Sequence, residues 1–175
     1  MKLMICSSSR DEINEKYKSI TKELCEKLKD YNFDLVFGAA STGMMGIETK
    51  YFNNIYSYTT EKYIDDLKNI NSKEEYIVDT SFDRTKKMFN DSDIILLLPG
   101  GTGTLSELFG ILEENRSIKN PKPFIIFNYD NYYDNVFNII ENAINNNFNS
   151  DNIKDYYEVT NSIDETIKTI KKYYN

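Results

Sequence analysis

Two short loops hold six of the seven glycines in this 175-residue chain. Each loop follows an aliphatic run and opens a helical pattern; the loops contain Gly38, Gly43 and Gly46, and Gly100, Gly101 and Gly103. Glycine lets the backbone approach a ligand closely, and the amides at a helix N-terminus favour an anion. Tight turns also use glycine when nothing binds, but two such loops together favour a ligand. The pattern therefore predicts a site for a phosphate or another anion.

The side-chain inventory limits the chemistry that this site can perform. The chain has no His, which excludes Ser-His-Asp and Cys-His catalysis and disfavours a zinc site. Any reaction must use carboxylates, Arg, Lys, Tyr, hydroxyls or backbone groups. Cys6 and Cys25 fall in a predicted strand and a predicted helix, which disfavours a disulfide scaffold and fits a reducing compartment. We expect no cofactor and no metal.

Charge and hydropathy exclude two further classes of partner. A net charge of −7 argues against binding to a nucleic-acid backbone. No apolar run approaches the length of a membrane span, and Met1–Cys6 is too short for a signal peptide. The sequence therefore predicts a cytoplasmic protein with a small-molecule ligand, without nucleic-acid or membrane partners.

Short apolar runs alternate with helical patterns along the whole chain. Strands are expected at Leu3–Cys6, Asp34–Phe37, Ile55–Tyr58, Tyr76–Val78, Ile94–Leu98, Pro123–Phe127 and Tyr156–Val159. Helices are expected at Arg10–Lys29, from about Met44, and at Asp83–Phe89, Thr104–Ile118, Tyr132–Asn146 and Ile163–Tyr173. This alternation predicts an α/β fold, a Rossmann-like, doubly wound, mostly parallel sheet with helices on both faces. We expect residues 1–175 to form a single domain.

The loop at residues 99–107 carries the most specific motif. Neither glycine loop has the Lys of a nucleotide P-loop, and the match of residues 101–106 to a dinucleotide fingerprint is weak. The string P-G-G-T-G-T-L-S-E, however, resembles the P-G-G-x-G-T-x-x-E signature of the Lonely guy (LOG) family, formerly described as lysine decarboxylases. Residues 5–9, 35–46 and 122–134 also resemble that family, as do Arg84 and Met88 in its R-K-x-x-M motif.

The resemblance implies an activity, a set of site residues and an assembly. Family members hydrolyse the N-glycosidic bond of nucleoside 5′-monophosphates, of the AMP or cytokinin riboside type, to free base and ribose 5-phosphate. Arg84 and Glu107 occupy the positions of the family's essential residues. Substrate or phosphate contacts are expected from Ser8, Gly43, Met45, Thr85, Gly100, Gly101, Thr102, Gly103 and Thr104. A homodimer is expected, with each active site near the interface.

The proposed chemistry suits these residue types. Cleavage of an N-glycosidic bond passes through an oxocarbenium-like state, which a carboxylate such as Glu107 stabilises directly or by activating water. Arg84 would orient phosphate or ribose oxygens. The leaving base needs a proton, for which water, Asp83, Asp79 and the base's own tautomer remain open.

The sequence departs from the family pattern at three places. Thr85 stands where the family has Lys, Ala39 and Ala40 replace two glycines, and residues 47–77 diverge most. The resemblance therefore supports the fold and the reaction class more directly than the identity of the substrate.

Structural roles compete with the functional ones. Thr104 and Glu107 could form a capping box, Arg84 could be a solvated charge at a helix start, and Ser7–Ser9 could cap the first helix. Met44 and Met45 suit core positions. A non-catalytic nucleotide carrier or sensor is the main rival function. An NAD(P)-binding protein ranks last, because the second strand ends without an acidic residue.

Overall fold

A computed structural model describes residues 1–174, in which seven strands alternate with six α-helices. The strands are β1 (Lys2–Cys6), β2 (Asp34–Phe37), β3 (Ile55–Thr60), β4 (Glu74–Val78), β5 (Ile94–Leu97), β6 (Phe124–Phe127) and β7 (Glu158–Thr160). The helices are α1 (Glu15–Leu28), α2 (Gly43–Glu48), α3 (Ser81–Asp91), α4 (Thr102–Ser117), α5 (Asp134–Asn145) and α6 (Ile163–Lys171). Short 3-10 segments occupy Lys29–Tyr31, Glu61–Asn69, Tyr129–Asn131 and Asp151–Tyr156.

All seven strands form one parallel sheet in the order β4-β3-β2-β1-β5-β6-β7. The order reverses between β1 and β5, where Ile5 pairs with Leu96. This confirms the predicted doubly wound α/β fold. Open sheets of this kind bind ligands outside the carboxyl ends of the strands at the point of reversal. A ligand site is therefore expected at the loops after β1 and β5.

Side chains of the central strands are buried on both faces of the sheet. On β1, Leu3 and Ile5 pack in the layer that contains α1, α2 and α6, whereas Met4 and Cys6 pack in the layer of α3, α4 and α5. This explains why these strands read as continuous apolar runs without alternation. Each fully buried large aliphatic side chain contributes about 1.5–3 kcal/mol. Hydrophobic packing on both faces of the sheet thus fixes the position of its carboxyl edge.

Two helix starts differ from the sequence expectation. Helix α1 begins at Glu15, because the side chain of Asn14 accepts a hydrogen bond from the Lys16 amide and caps it. The interpretation of Ser7–Ser9 as the cap of this helix was therefore wrong. Helix α4 begins at Thr102 with Gly101 at its N-cap and has no side-chain cap. The capping box of Thr104 and Glu107 was likewise wrong.

The segment Glu61–Asn69 was not anticipated as an element. It forms an irregular 3-10 stretch with a kink at Tyr63, between β3 and β4. Its composition, rich in Asp, Glu and Lys, leaves only Leu67 buried, so it carries little periodic signal. The segment nevertheless matters, because Tyr63 and Asp66 line a cavity at the carboxyl edge of the sheet. Within residues 1–174, no helix is both long and apolar enough to cross a membrane.

Candidate active site

A cavity of about 330 Å³ opens at the carboxyl edge of the sheet, beside the reversal between β1 and β5. Residues 7–10 after β1 form one wall, and residues 101–104 at the start of α4 form another. The remaining walls come from Gly38, Ala40, Met45, Tyr63, Asp66, Arg84 and Glu107. Five segments far apart in the chain meet here, in the position that the strand order predicts for a ligand.

The first turn of α4 supplies backbone amides to this cavity. The helix has no side-chain cap and no acidic residue in its first turn, so its positive end is not neutralised by the protein. A methyl group built on Gly101 or Gly103 would meet no atom within 4 Å. These two glycines therefore keep space open above the helix start, which is the arrangement that holds a phosphate in other proteins.

Glu107 and Arg84 lie together in the cavity. The side chain of Glu107 is only 4% exposed and that of Arg84 is 18% exposed. The Arg84 Nη2 atom is 3.6 Å from the Glu107 Oε1 atom, too far for a good hydrogen bond. Arg84 Nε and Glu107 Oε1 are both buried without a hydrogen-bond partner. The pair thus retains polar atoms that a ligand or water can satisfy.

Burial and charge act in opposite directions on Glu107. The pKa of its carboxyl is raised, because burial outweighs the Arg84 guanidinium and the Cys6 thiol, which both lower it. The same guanidinium lines the cavity at which α4 begins. Arg84 can therefore interact both with the Glu107 carboxylate and with an anion bound in this cavity.

The first glycine loop is closed by the protein itself. The Gly43 amide donates to Asp11 Oδ1 at 2.8 Å, and the Ser8 carbonyl accepts from the amides of Met44 and Met45 at 2.9 and 3.3 Å. Gly43 has φ +62°, and a methyl group there would lie 2.6 Å from the Ser9 carbonyl carbon. Position 43 therefore requires glycine so that the loop can pack against residues 8–11.

The predicted site residues fall into two groups. Ser8, Met45, Arg84, Gly101, Thr102, Gly103, Thr104 and Glu107 line the cavity, whereas Gly43, Thr85 and Gly100 do not. The Thr85 hydroxyl donates to the Ser81 carbonyl at 3.1 Å. The Gly100 carbonyl accepts from the Tyr132 hydroxyl at 2.7 Å, and Gly100 lines a neighbouring cavity of about 250 Å³.

One departure from the family pattern leaves a trace in the backbone. Ala39 has φ +55°, in the left-handed region that glycine adopts freely and other residues adopt at a cost of roughly 1–2 kcal/mol. Its side chain is buried in the core. The alanine therefore keeps the loop conformation expected of glycine, with the strain balanced in part by a buried methyl group.

A second buried carboxyl, Glu48, was missed by sequence reasoning. It ends α2, is 0% exposed, and accepts a hydrogen bond of 2.6 Å from the Ser7 hydroxyl. Burial, with a smaller contribution from the nearby Glu107, raises its pKa to about 8, and the hydrogen bond from Ser7 opposes that shift. The signal was present, because Glu48 lies four residues after Met44 and so shares its buried helical face.

The fold and this crevice define a Rossmann-like protein with an uncapped helix start and an Arg–Glu pair beside one cavity. The profile of a protein family described as "Possible lysine decarboxylase" matches residues 36–170. The chain belongs to this family, which is the LOG family that the motif at residues 99–107 resembles. Among residues 1–174, no group of three or more Cys, Asp and Glu side chains is arranged to hold a metal ion.

Curated relatives agree on one type of enzyme. A probable cytokinin riboside 5′-monophosphate phosphoribohydrolase of Oryza sativa subsp. japonica is 30% identical over 135 residues, which cover 74% of this chain and 55% of the relative. A cytokinin riboside 5′-monophosphate phosphoribohydrolase of Arabidopsis thaliana is 26% identical over 175 residues, covering 97% and 81%. The chain thus spans about half the length of the first of these relatives.

Solved structures share the fold at low identity. The molybdenum cofactor carrier protein of Chlamydomonas reinhardtii superimposes with a TM-score of 0.69 at 13% identity, covering 97% of this chain and 95% of the other. The molybdenum cofactor binding protein of Rippkaea orientalis gives 0.68 at 16% identity, covering 98% and 94%. These similarities establish the architecture and carry no information about the ligand of this chain.

Proposed function

We propose that this protein hydrolyses the N-glycosidic bond of a nucleoside 5′-monophosphate, releasing the free base and ribose 5-phosphate. The observation that carries the proposal is the spacing between Glu107 and the open helix start. Residues 102–104 precede Glu107 by three to five positions, or about 4.5–7.5 Å along the helix axis. That span matches the distance from a 5′-phosphate to the anomeric carbon of the same ribose.

In this proposal the start of α4 binds the phosphate. The uncapped amides of the first turn donate to its oxygens, and the dipole of the helix favours its charge. The open space above Gly101 and Gly103 accommodates the group. Arg84, with an unpartnered Nε atom in the same cavity, orients the phosphate or the ribose oxygens.

Glu107 acts on the anomeric carbon. As a carboxylate it stabilises the positive charge that develops on the ribose as the bond to the base breaks, or removes a proton from the attacking water. Its burial makes this interaction stronger than it would be in water. The adjacent Arg84 favours the ionised form that both roles need. A pure nucleotide carrier has no use for a buried carboxylate beside its anion, which favours the enzyme over that rival.

The substrate class is proposed from the relatives. AMP and cytokinin riboside 5′-monophosphates are the first candidates, because the curated relatives carry the second type in their names. The test is incubation with a panel of nucleoside monophosphates followed by chromatography for free base. Release of base from at least one of them is expected.

Glu107→Gln separates catalysis from binding. Gln keeps the size and loses the charge, so base release should fall by about 10²–10³-fold while nucleotide affinity stays within a few-fold. Glu113→Gln is the matched control, since Glu113 lies on the same helix but pairs with Arg116 on the surface. If Glu107→Gln turns over a confirmed substrate within a few-fold of the wild type, the mechanism is wrong. If the wild type binds nucleotides without releasing base, the carrier function replaces this proposal.

We also propose a homodimer with each active site near the interface. Phe82 on α3 is 76% exposed and Phe109 on α4 is 43% exposed, on the two helices that carry Arg84 and Glu107. These two phenylalanines are candidates for burial in a contact between two copies of the chain. Sedimentation at micromolar concentration should give twice the chain mass. A single 20.5 kDa species would reject the dimer.

A further inference from the structure

The site has a second carboxyl behind its wall that the mechanism above does not use. Glu48 is fully buried at the end of α2, and its Oε1 atom lies 2.6 Å from the Ser7 hydroxyl. Its Oε2 atom is buried without any hydrogen-bond partner. The titratable groups that act on it or are acted on by it are the Cys6 thiol on β1, the Cys25 thiol on α1 and Glu107 on α4. None of these is a cation.

A carboxyl in such surroundings holds its proton. Burying a carboxylate without a cation or a full set of hydrogen bonds costs several kcal/mol, and a carboxylic acid avoids most of that cost. The raised pKa of Glu48, about 8, has the same cause. Glu48 is therefore a neutral acid at neutral pH. A glutamate is a costly choice for a core position that an apolar residue could fill, which indicates a use for the proton.

The reaction proposed above needs such a proton. The leaving base accepts one as its bond to ribose breaks, and the chain has no His to donate it. Among the residues that line the cavity, an arginine is too basic to serve as a general acid and Glu107 is required as an anion. Tyr63 and Asp66 also line it, but they belong to the irregular 3-10 segment, where Tyr63 is 50% exposed. Ser7 also lines the cavity, and its hydroxyl touches Glu48. The hydrogen bond between Ser7 and Glu48 therefore links the proton of the Glu48 carboxyl to the cavity that the substrate would occupy.

We propose, on the basis of the proposed function, that Glu48 supplies the proton of the leaving base through the hydroxyl of Ser7. The hydrogen bond between them can run in either direction, since a neutral carboxyl and a hydroxyl both donate and accept. In this step the Ser7 hydroxyl touches the substrate, and Glu48 acts through it. Asp79, Asp83 and free water are then not needed as the source.

The protons and bonds balance as follows. The bond from the anomeric carbon to the base breaks, and its electron pair stays on the base nitrogen, which takes the proton of Ser7 Oγ. Ser7 Oγ takes the proton of Glu48. The oxygen of water bonds to the anomeric carbon and loses a proton to Glu107. Afterwards Glu107 is protonated and Glu48 is ionised; Glu107 releases its proton to water in the cavity, and Glu48 regains one from that water through the Ser7 hydroxyl. Nucleotide and water become base and ribose 5-phosphate.

The test compares two leaving groups. Glu48→Gln keeps the size, the neutrality and an acceptor for Ser7, but it cannot release a proton. Base release from a confirmed nucleotide substrate should fall by about 10²-fold or more, the usual contribution of a general acid. Hydrolysis of a para-nitrophenyl ribofuranoside 5-phosphate, whose leaving group needs no proton, should stay within a few-fold. Ser7→Ala should give the same split, and Glu107→Gln should lose both reactions.

Other outcomes overturn the inference. Turnover of the nucleotide by Glu48→Gln within a few-fold of the wild type would exclude Glu48 as the proton source. Equal loss on both substrates would reduce it to a structural role. Should Glu48→Gln fail to fold, Ser7→Ala decides by the same two criteria. A wild type that releases no base from any nucleotide overturns the proposed function and this inference together, whereas an active wild type with an active Glu48→Gln overturns this inference alone.

Discussion

The two glycine loops look alike in sequence and differ in physical role. Each follows a central strand, opens a helix and is followed by a buried glutamate, Glu48 after the first loop and Glu107 after the second. In the first loop the protein fills the space itself, because Gly43 presses against the backbone of Ser9. In the second, Gly101 and Gly103 face open space. Gly43 is thus needed for packing within the protein, whereas Gly101 and Gly103 leave room for a ligand.

The two glutamates continue this contrast. Glu107 faces Arg84 and the cavity, and it suits the role of a charged group that acts on a ligand. Glu48 has no cation, faces the interior and suits the role of a neutral acid. The comparison shows that a glycine or a carboxylate in a motif acquires its role from what lies within a few ångströms of it. Three substitutions test this, in order of expected effect.

Gly43→Ala should give the largest effect, on folding. The new methyl group would lie 2.6 Å from the Ser9 carbonyl carbon, at a residue with φ +62°. Left-handed strain and overpacking together should lower the free energy of unfolding by about 2–5 kcal/mol. Urea unfolding measures this, with Gly101→Ala as the control that has open space. If the two variants were equally stable, the distinction between a packed Gly43 and an open Gly101 would be wrong.

Glu48→Gln should change how stability depends on pH. The folded pKa of Glu48 is raised to about 8 from an ordinary value of 4.5, so between these two pH values the unfolded chain releases a proton that the folded chain keeps. Stability of the wild type should therefore fall as pH rises through this window, by up to about 5 kcal/mol.

The variant lacks the titrating group, so its stability should not show this loss. Unfolding midpoints in urea at several pH values measure the difference, and Glu113→Gln on the surface is the control. Parallel pH profiles for Glu48→Gln and the wild type would show that Glu48 is ionised in the folded protein.

Gly103→Ala should leave folding intact and weaken binding. Its methyl group meets no protein atom, and alanine favours a helix over glycine by about 1 kcal/mol. The methyl group would occupy the space assigned to the phosphate, so affinity for a nucleoside monophosphate should fall about tenfold or more, or 1.4 kcal/mol. Calorimetric titration measures this.

The same helix offers a control. At Gly110 a methyl group would be in ordinary contact with Thr85, 3.8 Å away, at a position that does not line the cavity. Gly110→Ala should bind the nucleotide as the wild type does. Equal affinity of Gly103→Ala and the wild type would remove the start of α4 as the phosphate site.

Local sequence predicted most of the architecture. The seven strands and six helices appear where short apolar runs and helical patterns alternate, with boundaries shifted by a few residues. The predicted helix starts and caps were wrong where a single contact determines the local structure. Helix α1 begins at Glu15 because Asn14 caps it, and the alternative capping box of Thr104 and Glu107 does not form because α4 already begins at Thr102. The segment Glu61–Asn69 has too few buried residues to produce a periodic signal.

What the sequence determined by itself is the class of fold, the family motif at residues 99–107 and the absence of histidine chemistry. These depend on residue order and type, since apolar periodicity and glycine-rich turns act over a few residues. Tertiary structure alone decided which glycines leave room for a ligand and which carboxyl lies beside a cation. Both depend on groups distant in the chain: Ser9 closes on Gly43, Arg84 comes within 3.6 Å of Glu107, and Ser7 meets Glu48. Steric contact and electrostatic interaction act across space, so residue order alone does not reveal them.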